Sequence, residues 1–174
     1  MSTEKGTKNE SRLHFWLMSL GYKFRDLLLP RMEVLKEVGI LMGESGKVYA
    51  LDKSPFAVAA VSRLAAGKGL PNVQTILSDC DTGLPSGSID VVILYDVIHH
   101  LDDRGKVLAE LHRVLKGEGL LSVSDHHLKR DELVRAVTEG GLFKLSLECK
   151  RTYRFLKKRD WREGDSIDRT KASI

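Results

Sequence analysis

The chain has 174 residues, 42% of them hydrophobic and 30% charged, with 28 basic side chains against 24 acidic ones. This is the composition of one globular domain, and at this length a fold buries about 70% of the surface its unfolded chain exposes, so neither disulfides nor a structural metal is required. Cys80 and Cys149 are too few and too far apart for a disulfide framework, and the run Val91 to Tyr95 falls far short of the ~20 apolar residues of a membrane span, so a reduced, cytoplasmic chain with no membrane partner is expected.

Residues 1–10 are polar and read as a frayed arm. Leu13, Trp16, Leu17, Leu20 and Phe24 then recur at helical spacing behind Ser11, which predicts a short amphipathic helix broken near Gly21. Pro30 opens a second helical stretch in which Val34, Leu35 and Val38 share a face and Gly39 ends it. Lys47 to Leu51 is a β-rich run closed by Asp52, and Ser54-Pro55 supplies an N-cap and a first-turn proline for a helix carrying Ala57, Ala60, Val61, Leu64 and Ala65 on one stripe. Val73 to Leu77 reads as the next strand, followed by Asp79, Cys80 and Asp81.

Ile89 to Tyr95 is almost wholly apolar, the mark of a strand buried on both faces, and it is expected to be central. A helix over 104–115 leads through Gly117 and Gly119 to a strand at Leu120 to Ser124; a helix over 130–140 precedes two final strands, 142–147 and 151–156, paired antiparallel. Strands alternating with helices predict an α/β fold with a mostly parallel sheet. The domain plan is a helical cap at 1–29, an α/β domain at 30–158 and a basic, flexible tail at 159–174. Residues 150–174 carry nine Lys or Arg against four acids, so the first 149 are close to neutral at −1. Tyr153, Phe155 and Trp161 interleave with those charges as a nucleic-acid surface would, but a last strand with a solvated end explains them more simply.

In an open parallel sheet the ligand crevice lies beyond the carboxyl ends of the strands. The residues there are Asp52, Asp79 to Asp81, Tyr95-Asp96 and Asp125 to His127. An acid at the position of Asp52 can accept hydrogen bonds from both hydroxyls of a ribose. Taken together, KVYALDKSP (47–55), NVQTILSDCDTGLPSGSIDVVILYDVIHHL (72–101) and LHRVLKGEGLLSVSDH (111–126) resemble the class I S-adenosylmethionine-dependent methyltransferases over roughly residues 30–156. The resemblance implies a Rossmann-like three-layer fold and S-adenosyl-L-methionine as cofactor. It gives Asp52, with Lys53 beside it, to the ribose, Asp79 to the adenine amino group, and the backbone amide of Cys80 to the ring. Tyr95 falls to the methionine side, and Asp96 with Val97 to Leu101 to the wall between cofactor and acceptor.

One family feature is missing from the sequence. The first strand and its acid-x-Gly-x-Gly loop have no counterpart between Val38 and Lys47, where only eight residues stand and Gly39, Gly43 and Gly46 have no strand ahead of them. An internal deletion is therefore expected. Removing that central strand would open a gap of two strand spacings, about 9.6 Å, to be closed by a stub from residues 39–43 or by direct pairing of the flanking strands.

Methyl transfer from a sulfonium is an in-line displacement that depends mainly on alignment, with a base needed only where the acceptor must lose a proton. His100 is the base candidate, backed by His99, Asp96 and His126. The pairs His99-His100 and His126-His127 could lend at most one metal ligand each from extended backbone, and no metal is expected. The function expected is methyl transfer to a small-molecule acceptor, because no second recognition domain is visible. The alternative is a non-catalytic member of the fold that has lost its cofactor loop and covers its open sheet by forming a homo-oligomer.

Overall fold

The computed structural model describes the backbone of residues 14–18 and residues 46–149 and 152–158 in full. Ser54 begins the first described helix as its residue type dictates, its side-chain oxygen accepting the Ala57 N–H at 3.4 Å with Pro55 in the first turn. The same logic sets the helix at 104–114, where the Asp103 carboxylate accepts the Lys106 N–H at 2.9 Å. In chain order the elements are β1 (His14–Met18), β2 (Lys47–Asp52), α1 (Pro55–Gly67), β3 (Val73–Leu77), β4 (Ile89–Tyr95), a 3-10 turn at Ile98–His100, α2 (Arg104–Val114), β5 (Leu115–Ser124), α3 (Arg130–Thr138), β6 (Phe143–Cys149) and β7 (Thr152–Lys157).

The described strands form one sheet in the order β3-β2-β1-β4-β5-β7-β6. Strands β1 to β5 pair in parallel, and β7 is antiparallel to both β5 and β6. This is a Rossmann-like α/β architecture with a mixed sheet and an antiparallel C-terminal pair. The first described strand, β1, lies in the middle; from β2 the chain builds outward to β3 and crosses back to β4 on the other side of β1. That reversal is the topological switch point at which such sheets hold ligands.

The structure corrects the expectation of a sheet lacking its first strand. Its central place is filled by His14–Met18, which pairs with β2 from His14↔Lys47 to Met18↔Leu51 and with β4 from Phe15↔Val91 to Met18↔Leu94. No gap opens, the strands on either side do not pair directly, and the segment predicted as a helix is a strand. The physical reason is the ambiguity of a short apolar run. Leu13 to Leu20 matches helical spacing at four positions, yet Phe15-Trp16-Leu17-Met18 is also the unbroken apolar, aromatic stretch of a strand with neighbours on both sides. The predicted stub at 39–43 and the helix after Pro30 lie outside the described residues, as do the glycines at 21, 39 and 43.

A single core joins the sheet to two helices. Val107, Leu108, Leu111 and Val114 of α2 and Leu133, Ala136 and Val137 of α3 are buried with Val92, Leu94, Leu121, Val123 and Phe155 of the sheet. Strand β5 begins five residues earlier than expected because it carries a bulge: Leu115 pairs with Ile89 and Leu120 with Val91, so residues 116–119 stand opposite Asp90 alone. Lys116 fastens the bulge to Asp90 through a 2.7 Å ion pair. Glycine is needed at 119, where a Cβ would meet Leu115 Cδ2 at 2.8 Å and the Lys116 backbone at 3.0 Å.

Candidate functional site

A cleft of about 190 Å³ lies outside the carboxyl ends of β2 and β3 and beside the turn that follows β4. Lys53, Asp79, Cys80, His100, Leu101, Asp102, Asp103, Lys106 and Val107 line it. Four of the residues singled out from the sequence, Lys53, Asp79, Cys80 and His100, thus share one wall-to-wall space although up to 47 positions separate them. Lys53 reaches across to Asp102 at 3.3 Å, an exposed ion pair that closes one rim and adds little stability in high-dielectric surroundings.

Asp52 stands one residue behind this wall. It is 4% exposed at the end of β2, and its Oδ1 accepts the Ser54 N–H at 2.8 Å, which ties the carboxylate to the start of α1. Cys80 is buried, and burial pushes its thiol above the usual range; its backbone N–H donates to Ser78 Oγ at 3.3 Å. Tyr95 turns the other way: its hydroxyl lies 3.1 Å from Ser122 Oγ on β5, and it is not among the residues lining the cleft.

The loop between β3 and β4 is held by a device that sequence reasoning missed. Glu110 on α2 accepts the Thr82 N–H at 3.0 Å and the Thr82 hydroxyl as well. Arg113, one turn on, grips both Glu110 oxygens at 2.6 and 2.7 Å and donates to the Leu84 carbonyl at 2.8 Å and Ser86 Oγ at 3.1 Å. The Arg113 guanidinium and the two Thr82 donors hold the Glu110 carboxyl at about 2, against the opposing effect of burial. Gly83 and Gly87, at φ 63° each, supply the left-handed turns of this loop. Asp79 and Cys80 therefore sit at the start of a pinned segment.

On the other side of the switch point two loops brace each other. Asp96, which follows β4 at φ 52°, accepts the His126 N–H at 3.0 Å, and its Oδ1 lies 2.6 Å from His126 Nδ1. Asp125, just after β5, returns the arrangement: Oδ2 accepts the His99 N–H at 3.3 Å and lies 2.5 Å from His99 Nδ1, while Oδ1 accepts the His127 N–H at 2.9 Å. The rings of His100, His99, His127 and His126 follow one another at centroid distances of 3.8, 4.2 and 3.9 Å. Among the described residues no group of three or more His, Cys, Asp or Glu side chains is arranged to hold a metal ion, and no helix is long and apolar enough to cross a membrane.

Comparison with known proteins agrees with this geometry. Residues 33–123, half of the chain, match the family model described as "Methyltransferase domain". Over 79 residues the chain is 38% identical to a Mycobacterium tuberculosis protein described as "Probable S-adenosylmethionine-dependent methyltransferase", covering 45% of this chain and 27% of that protein. The chain thus spans about a quarter of the length of the curated relatives it matches. Among solved structures it is similar to a SAM-dependent methyltransferase from Aquifex aeolicus, with a TM-score of 0.69, 21% identity and coverage of 83% and 82% of the two chains. It is similar also to an arsenic(III) S-adenosylmethionine methyltransferase from Chlamydomonas reinhardtii, with a TM-score of 0.63, 20% identity and coverage of 84% and 64%. The [4+2]-cyclase SpnF shares the fold too, at a TM-score of 0.60 and 14% identity over 78% and 53% of the chains. The fold alone therefore does not dictate the reaction.

Proposed function

The chain belongs to the class I S-adenosylmethionine-dependent methyltransferase domain family, and we propose that it transfers a methyl group from S-adenosyl-L-methionine to a small-molecule acceptor. The cofactor of this family supplies an electrophilic methyl group carried on a sulfonium. The observation that carries the reading is the convergence of Lys53, Asp79, Cys80 and His100 on one cleft at the switch point. The chemistry of these residues fits the cofactor. Asp52 offers a buried carboxylate fixed by the α1 cap, suited to a ribose diol. Asp79 presents an exposed acceptor for an exocyclic amine, and Leu101 and Val107 give the cleft apolar wall for a ring.

In this reading Asp52 orients the sugar, Asp79 and the Cys80 backbone recognise the base, and Lys53 with Asp102 covers one rim. His100 stands on the acceptor side. Equilibrium titration of the folded chain tests it: saturable one-to-one binding of S-adenosylmethionine in the micromolar range is expected, with no binding of NAD. A folded chain that takes up no S-adenosylmethionine at millimolar concentration would overturn the proposal and leave the non-catalytic reading of the fold.

A further inference from the structure

A second hollow, of about 260 Å³, shares no lining residue with the cleft. It lies between α2 and the chain that follows α3, lined by Arg104, Leu108, Ala136, Glu139, Gly140 and Leu142. Leu108 and Ala136 are buried and Leu142 is part-buried in the core, so the floor is apolar. Arg104 and Glu139 add one charge of each sign. The Nε of Arg104 is buried and has no hydrogen-bond partner among the described residues. A guanidinium donor taken out of water in this way calls for an acceptor.

The last described strand brings the chain to the edge of this groove. The Lys158 N–H donates to the Leu142 carbonyl at 2.8 Å, and the Lys158 carbonyl accepts from His112 Nε2 at 3.0 Å. Leu142 lines the groove, and His112 stands on the stripe of α2 that carries Leu108 and Arg104, one and two turns before it. The residues that come next, Arg159-Asp160-Trp161-Arg162-Glu163, lie outside the described residues.

We infer that this groove is the docking site of the chain's own basic tail, with Trp161 laid on Leu108, Ala136 and Leu142 and the Glu163 carboxylate accepting the Arg104 Nε–H. The reach is sufficient. Three residues beyond Lys158 span up to ~10 Å and five up to ~17 Å, whereas Leu108 and Arg104 stand about 6 and 12 Å along the helix axis from His112. The charges match in sign, since Arg162 follows the indole toward Glu139 and Glu163 follows toward Arg104. An aromatic residue among alternating charges would also suit a nucleic acid; here the same pattern complements an apolar floor flanked by a cation and an anion.

Exposure of Trp161 in the full chain tests the proposal. Labelling with 5-fluorotryptophan gives one 19F signal for Trp16 and one for Trp161, the two tryptophans of the sequence, and Trp161→Phe identifies the second by its loss. Broadening by a soluble gadolinium chelate is expected to be about threefold or more weaker for Trp161 than for free 5-fluorotryptophan, as a mainly docked population requires. Gly140→Phe fills the groove: no atom lies within 4 Å of its Cβ position and its φ is not left-handed, so the ring enters without backbone strain. Trp161 is then expected to broaden as the free amino acid does. Arg104→Met and Glu163→Gln are each expected to raise the broadening about twofold, and together no further, because they remove one shared contact. The Trp16 signal, from β1, is expected to hold its position and shows that the sheet is folded; if Gly140→Phe moves it, the Arg104 and Glu163 variants decide.

A Trp161 as exposed as the free amino acid in the unsubstituted chain, or protection that none of the groove variants reduces, would overturn the proposal. Protection that vanishes on dilution would overturn it as well and give the groove to the tail of a second copy.

Discussion

On the β2–β3 side of the crevice a loop is fastened from outside by one helix; on the β4–β5 side two loops fasten each other. Glu110 and Arg113 of α2 direct their hydrogen bonds to the backbone and hydroxyls of residues 82–86, so that Asp79 stays exposed at the cleft. Asp96 and Asp125 direct theirs to imidazoles and to the N–H groups beside them. The first arrangement fixes the loop that follows Asp79 and Cys80. The second ties the loop after β4 to the loop after β5. The two sides of the switch point are thus held by different supporting contacts.

The strongest blow to this division is one that removes what the sides share. Leu111, fully buried on α2, packs in the single core beneath both; Leu111→Ala is expected to cost about 2–5 kcal/mol in denaturant unfolding, with both sides lost in one transition. Separate transitions reported from the two sides would show that they do not rest on a common core.

Next comes Glu110→Gln, which attacks the β2–β3 side alone. Its folded carboxyl sits at about 2 rather than the ordinary 4.5, so the stabilisation it gives is fully present above about pH 4.5 and is lost as pH falls toward 2. The variant is expected to lose on the order of 2 kcal/mol at neutral pH, and its stability curve to converge with that of the unsubstituted chain in acid. A deficit independent of pH would mean that the Arg113 and Thr82 contacts are not what holds the loop.

Asp96→Asn attacks the other side at its more exposed pair and is expected to cost about 1 kcal/mol, with exchange of the His126 amide accelerated and that of the loop at 82–86 unchanged. The smallest effect is expected of Lys53→Ala: the rim ion pair is exposed at both ends, and thermal unfolding should shift by no more than roughly 0.5 kcal/mol. A larger loss would give the rim a structural role it lacks in the present account.

Much of this layout was legible in the chain. Ser54-Pro55 announced α1, and the β-rich runs at 73–77 and 89–95 became strands with those same bounds. Strand ends on a parallel sheet point to one crevice, which is why Asp79 and Cys80 could be named before their contacts were known, while His100 was named as a candidate base beside the family resemblance. What escaped was non-local. Thr82 and Glu110 are 28 positions apart, and His99 and Asp125 are 26 apart, with no spacing rule to join them. A signal did exist for the second pair: Asp-Val-Ile-His-His and Asp-His-His both follow strands expected to lie side by side, so each aspartate could have been matched to the other segment's histidine. Strand β1 escaped for the opposite reason, because too few residues carry its pattern to separate period 2 from period 3.6.

The division between the two sides is tested most directly by titrating S-adenosylmethionine calorimetrically into Asp79→Ala and Asp125→Asn. Loss of one acceptor for the base is expected to weaken binding about 10-fold or more in Asp79→Ala, while Asp125→Asn, on the β4–β5 side, keeps the affinity of the unsubstituted chain within about twofold. Equal weakening in both, or weakening in Asp125→Asn alone, would contradict the account.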